Sequence, residues 1–78
     1  MKKSRTHAHY QIVLRPEREG GYTVLVPSLP GCITHGRTVE EAHRMARDAI
    51  SAYIASMKKH REPVPPSDRG NIIATIEV

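Results

Sequence analysis

Residues 20–36 read GGYTVLVPSLPGCITHG. The run alternates like a β-strand, breaks at two prolines and a glycine, and resumes around a single cysteine. Between Tyr22 and Val26 the residues Tyr22, Val24 and Val26 share one face, and Thr23 and Leu25 the other, as the two-residue period of a strand requires. Pro27 and Pro30 frame the break, and Pro30-Gly31 carries the signature of a turn. Cys32 to His35 then predicts a short returning strand. Leu29, set between the two prolines, is expected to tuck back over the end of the core.

Upstream, HYQIVLR (residues 9–15) sets Tyr10, Ile12 and Leu14 on one face, with Pro16 closing the strand. The following PEREGG is a turn whose glycines supply the positive φ angles of a tight reversal, so the first two strands form a hairpin. Downstream, the spacing predicts a helix from Val39. Thr38 is a good N-cap and Glu41 stands at the N3 position of a capping box. Glu40 and Glu41 suit the positive end of the helix dipole, and Glu40 with Arg44 forms a favourable i,i+4 pair. Ala42, Ala46, Ala49, Ile50, Tyr53, Ile54 and Met57 recur at three- and four-residue spacing as one apolar stripe. Lys58, Lys59, His60 and Arg61 crowd its carboxyl end, and Pro63, Pro65 and Pro66 prevent its continuation.

A linker over residues 62–71 leads to a last strand over 72–78. There Ile72, Ala74, Ile76 and Val78 lie on one face, and Ile73, Thr75 and Glu77 on the other. The order is strand, strand, strand, helix, strand. This is an α+β fold, β-β-β-α-β, with a four-stranded mixed sheet and one helix packed on one face; the helix makes the third-to-fourth connection a crossover. All 78 residues make a single domain, with 1–8 a flexible end and 9–61 the sheet and helix. The sheet face away from the helix keeps Val13, Leu25 and Ile73 beside Thr23 and Thr75. That is too apolar for a solvated surface, and it calls for a partner protein or a second subunit.

The chemistry the sequence excludes is as informative. No apolar run approaches the length of a membrane span, and the basic start MKKSRTHAHY lacks the apolar stretch of a signal peptide. With mean hydropathy of −0.47 and a lone Cys32 that has no disulfide partner in the chain, a cytoplasmic protein is expected. Cys32 and His35, three apart on a strand, point to opposite faces, so the thiol has no base and is read as structural. Five histidines invite a metal site. Yet His7 and His9 are the only close pair, His35, His43 and His60 being scattered, and no metal or cofactor is expected. The eight acidic residues do not converge, and no phosphate-binding loop or HExxH occurs. An enzyme is not expected. The formal charge of +4 sits in three clusters: Lys2, Lys3 and Arg5; Arg37, Arg44 and Arg47; Lys58, Lys59 and Arg61. It leaves open the alternative of a small, basic, homo-oligomeric nucleic-acid-binding or regulatory protein. Tyr10, Tyr22 and Tyr53 read as core or interface aromatics rather than a base-stacking platform.

Gly21, Tyr22, Pro27, Leu29, Pro30, Gly31 and Cys32, then Gly36, Thr38, Glu40, Glu41, Ala42, Ala46 and Ile50, with Glu62 and Pro63 after the helix, make a combination that closely resembles the HicB family of bacterial antitoxins, also called UPF0150. The resemblance spans about residues 9–65 and implies a degenerate RNase H-like fold, with the fourth strand beside the first. Active members of that fold carry catalytic acids on the first strand, the helix and the fourth strand; YQIVL has none, so the likeness is to a scaffold. Family members neutralise HicA, a small toxin resembling a double-stranded-RNA-binding domain that cleaves mRNA. The resemblance therefore implies an antitoxin-like protein that sterically blocks a HicA-type toxin; the uncovered sheet face and the Ile-rich last strand separately call for self-association, as a dimer or tetramer. The candidate toxin-binding residues are Glu17, Glu19 and Gly21 in one turn, and Ser28, Leu29, Pro30 and Gly31 in the other. Many members also bind DNA through a second, carboxyl-terminal domain. No such motif follows the last strand in these residues, and DNA binding is not expected.

Overall fold

The computed structural model describes residues 8–78. Strands β1 (Val13–Pro16), β2 (Tyr22–Leu25) and β3 (Ile33–Gly36) precede one helix, α1 (Val39–Lys59). β2 is central, with β1 and β3 antiparallel on either side. The registers pair Leu14 with Val24 and Val24 with Thr34. Tyr10, Ile12 and Leu14, like Tyr22, Val24 and Val26, therefore face the helix, as the alternation predicts. Val13, Leu25 and Ile33 form one row across the other face.

The turns follow from their residues. In the β1–β2 turn the Gly20 N–H donates to the Glu17 carbonyl and the Glu17 N–H to the Gly21 carbonyl. Gly20 and Gly21 both take positive φ. Between β2 and β3 the Cys32 N–H donates to the Leu29 carbonyl across Pro30-Gly31. Gly31 has φ of +83° there, the arrangement of a type II turn with proline second and glycine third. This turn delivers Leu29, fully buried, into a cluster with Val26 and Cys32.

Two buried helix alanines, Ala42 and Ala46, lie against Val24, and Gly36 of β3 makes the approach close. A Cβ at Gly36 would sit 2.4 Å from the Ala42 nitrogen and 2.5 Å from its Cα. Thr38 caps the helix by accepting from the Glu41 N–H at 3.0 Å. The Glu41 carboxylate reaches back to the Arg37 N–H, one residue beyond the partner of an ordinary capping box. The expected Glu40–Arg44 pair is not formed. Arg44 lies 4.0 Å from Glu41 instead, because the carboxylate held at the helix start stands within its reach. At the other end the Glu62 N–H donates to the Met57 carbonyl and the Arg61 N–H to the Lys58 carbonyl. This is a Schellman closure in which Arg61, with φ of +57°, takes the place usually held by glycine.

Two expectations change. The first strand begins its ladder at Val13 rather than His9, because β2 is turned aside at Pro27. Segment 67–68 binds the 9–11 backbone in its place: the Asp68 N–H donates to the His9 carbonyl, and the Gln11 N–H to the Asp68 carboxylate. The larger correction concerns the last strand. Residues 72–78 join no sheet, so the described residues form a three-stranded, wholly antiparallel sheet instead of four strands in a mixed one. Alternation makes a segment competent to be a strand, but a ladder also needs a free neighbouring edge, and residues 72–78 run clear of the body. The radius of gyration is 14.4 Å, against about 11.5 Å for a compact unit of this length. The expected flexible end falls mostly on residues 1–7, outside the described residues.

Candidate functional site

The two turns expected to meet a partner lie at opposite ends of β2. From Gly21 to Ser28 an extended chain covers about 20 Å, so they do not form one patch. Glu17 is held in place: its carboxylate accepts a hydrogen bond from the Thr23 hydroxyl, which sets it on the face away from the helix. Glu19 is exposed, and Gly21 contributes its carbonyl to the turn. In the other loop Leu29 is a core residue, and the Ser28 hydroxyl donates to Asp68 at 2.6 Å. Pro30 offers its carbonyl to the Tyr53 hydroxyl at 2.7 Å. Pro30 and Gly31 remain exposed.

What the sheet itself presents is more continuous. Val13, Leu25 and Ile33 lie side by side, Val13 46% and Ile33 54% exposed. The next row is Arg15, Thr23 and His35, and Glu17 closes that end. An apolar row bordered by polar groups is the pattern of a protein-contact surface.

Cys32 is 5% exposed, and burial pushes its thiol up from the usual range. His35 lies on the opposite face of the sheet. The thiol is thus uncharged at neutral pH, and among the described residues no base stands beside it. Among the described residues no three His, Cys, Asp or Glu side chains come together as metal ligands do, and no helix is long and apolar enough to cross a membrane.

Asp68 is the residue that sequence reading passed over as linker. It is the one buried charged side chain among the described residues, 6% exposed. Its carboxylate accepts from the Ser28 hydroxyl, the Gln11 N–H at 2.9 Å and the Asn71 amide at 3.1 Å. These bonds, the one from Ser28 foremost, hold its carboxyl below the usual range against the opposing pull of burial. The signal was the Ser-Asp-Arg-Gly-Asn run, in which an aspartate two residues before a glycine marks a built turn. Tyr10 helps fix the same segment by donating to the Pro65 carbonyl at 2.7 Å.

The resemblance noted in the sequence extends along the chain. Residues 10–77 match the model of a family described as HicB-like antitoxin of a bacterial toxin-antitoxin system. A UPF0150 protein of Thermoplasma acidophilum is 46% identical over 56 residues, covering 72% of this chain and 81% of that protein. A UPF0150 protein of Synechocystis is 40% identical over 60 residues, 77% of this chain and 76% of its own length. Antitoxin HicB 1 of Photorhabdus laumondii is 39% identical over 56 residues, but these make only 36% of that longer protein. The chain therefore belongs to the HicB-like antitoxin family.

Proposed function

We propose that this chain is the antitoxin of a toxin–antitoxin pair and neutralises a HicA-type, mRNA-cleaving toxin by binding it and covering the surface that meets RNA. Family membership along residues 10–77 carries the reading, and the relatives named HicB antitoxins support it. The mechanism is steric: the chain occupies the toxin and does no chemistry of its own. It acts in the cytoplasm as a homo-oligomer, a dimer or tetramer, and the complete domain is a degenerate RNase H-like fold whose fourth strand comes from residues 72–78.

The docking surface is the helix-free sheet face. Its apolar row of Val13, Leu25 and Ile33 supplies the contact area, and the Glu17–Gly21 turn supplies carboxylates toward a cationic, RNA-gripping partner. Pro30 and Gly31 lie beyond the other end of β2, on the side of the helix, and make at most a secondary contact. Calorimetric titration against a catalytically disabled HicA-type toxin tests this. Val13→Asp and Ile33→Asp, both at exposed positions, are expected to weaken binding at least tenfold, Glu19→Lys severalfold, and Pro30→Ala little. Absence of binding by the unaltered chain contradicts the function; undiminished binding by both aspartate variants contradicts the surface.

A further inference from the structure

Residues 71–78 leave the body as an exposed, extended segment with no ladder partner. Ile72 is 91% and Ile76 82% exposed, and Ile73 and Val78 are exposed with them. An alternating apolar segment in water is a strand lacking an edge.

The body carries the complementary deficit. The helix packs on β3 and β2, which leaves the β1 side of the helix-facing layer thinly covered. An open groove of about 620 Å³ runs there between residues 8–12 and α1, lined by Tyr10, Ile12, Ala46, Ile50 and Ile54, with Arg47 at its rim. No residue of the trailing segment lines it. The carboxyl half of the helix stripe, Ile50, Tyr53 and Ile54, is only half-buried for the same reason. Among the described residues β1 is an edge strand, with β2 on one side and no strand on the other. A strand added at that edge would lay alternate side chains into the groove.

The segment's own base holds it away from that position. Asp68 is tied to His9, Gln11 and Ser28, so the segment starts beyond the end of β2 rather than along the outer edge of β1. The Asn71 N–H donates to the Asp68 carbonyl at 2.9 Å across Gly70, φ +91°. The outward course is thus built by a hydrogen-bonded turn.

We infer that residues 71–78 of one copy add as the fourth strand along the free edge of β1 in a second copy, and that the exchange is reciprocal. Ile72, Ala74, Ile76 and Val78 enter the partner's groove, while Ile73 and Thr75 extend its outer face. Residues 72 to 78 span about 20 Å as a strand; the helix stretch from His43 to Ile54 that lines the groove spans about 17 Å, so the lengths are comparable. Reciprocal exchange closes a two-fold dimer and leaves no apolar edge to propagate. The inference rests on the self-association proposed above but not on the toxin. The row Val13, Leu25 and Ile33 stays free for a partner, so toxin binding can fail or hold independently.

Complementation measured by sedimentation velocity tests the exchange. The unaltered chain is expected at about twice 8.7 kDa. A tail variant, Ile72→Asp with Ile76→Asp, and a groove variant, Ile54→Asp, are each expected at half that mass. Their equimolar mixture is expected to restore a dimer with one copy of each, since one intact tail meets one intact groove. Ser51→Arg, at the exposed rim of the groove, serves as a second block should Ile54→Asp perturb the helix. An unaltered chain that sediments as a monomer overturns the inference. So does a tail variant that remains dimeric, or a mixture of folded variants that stays monomeric.

Discussion

Asp68 ties three separate parts of the chain to one carboxylate: the segment leading into β1 at Gln11, the loop after β2 at Ser28, and the turn at Asn71. Its pKa is lowered in the folded state, so the ionised form stabilises the fold. That contribution is complete above the unfolded value of about 3.9 and is lost as pH falls through the lower, folded value. Urea midpoints measured from pH 7 to 2 should therefore fall more steeply below about pH 4 in the unaltered chain than in Asp68→Asn, which is already weakened at neutral pH. Arg61 is the reverse case. Its left-handed backbone costs roughly 1 kcal/mol or more for a non-glycine residue, and the helix closure needs that conformation. Arg61→Gly should raise the urea midpoint by the equivalent of about 0.5–1 kcal/mol with no change in slope, the flexibility of glycine in the unfolded state offsetting part of the gain. Cys32, buried and with its thiol pushed up, should resist iodoacetamide in the folded protein and react once unfolded.

Among the elements, the contact between β3 and α1 leaves the least room. Gly36 faces the backbone of Ala42 at distances that no Cβ can share, and the helix lies close to the sheet because Ala42 and Ala46 are small. Gly36→Ala should force the helix outward and destabilise at the upper end of about 1–3 kcal/mol. For a domain this small each kcal/mol lowers the melting temperature by about 4–8 °C, which calorimetry resolves. These elements were legible because their signals are local: alternation in Tyr22–Val26, proline and glycine at the turn, Thr38 and Glu41 at the cap, and the alanine-rich stripe. Leu29 was legible for a related reason, since two stiff prolines leave it one direction. The Asp68 anchor was not, because it depends on residues nearly sixty positions apart being brought together by the folded chain; the true start of β1 was not, because it depends on where its partner β2 turns aside at Pro27.

On the scale of the whole molecule, the sequence shows an apolar last segment but not whose edge receives it. Alternation fixes which side chains share a face, and it is silent on whether the neighbour belongs to the same copy. The candidate site divides in the same way. The turns at Glu17–Gly21 and Ser28–Gly31 were visible as turns, yet their positions at opposite ends of β2, and the burial of Leu29, follow only from the registers. The row Val13, Leu25 and Ile33 was half-visible, since alternation put Val13 and Leu25 outward while the register added Ile33. This face, in a member of the HicB-like antitoxin family, is the surface proposed to meet the toxin. The direct measurement is RNA cleavage by a purified HicA-type toxin as this protein is added in steps. Cleavage should fall in proportion to the added protein and stop at a fixed whole-number stoichiometry, with Val13→Asp requiring a large excess. Cleavage that continues unchanged in the presence of excess folded protein would contradict the antitoxin function.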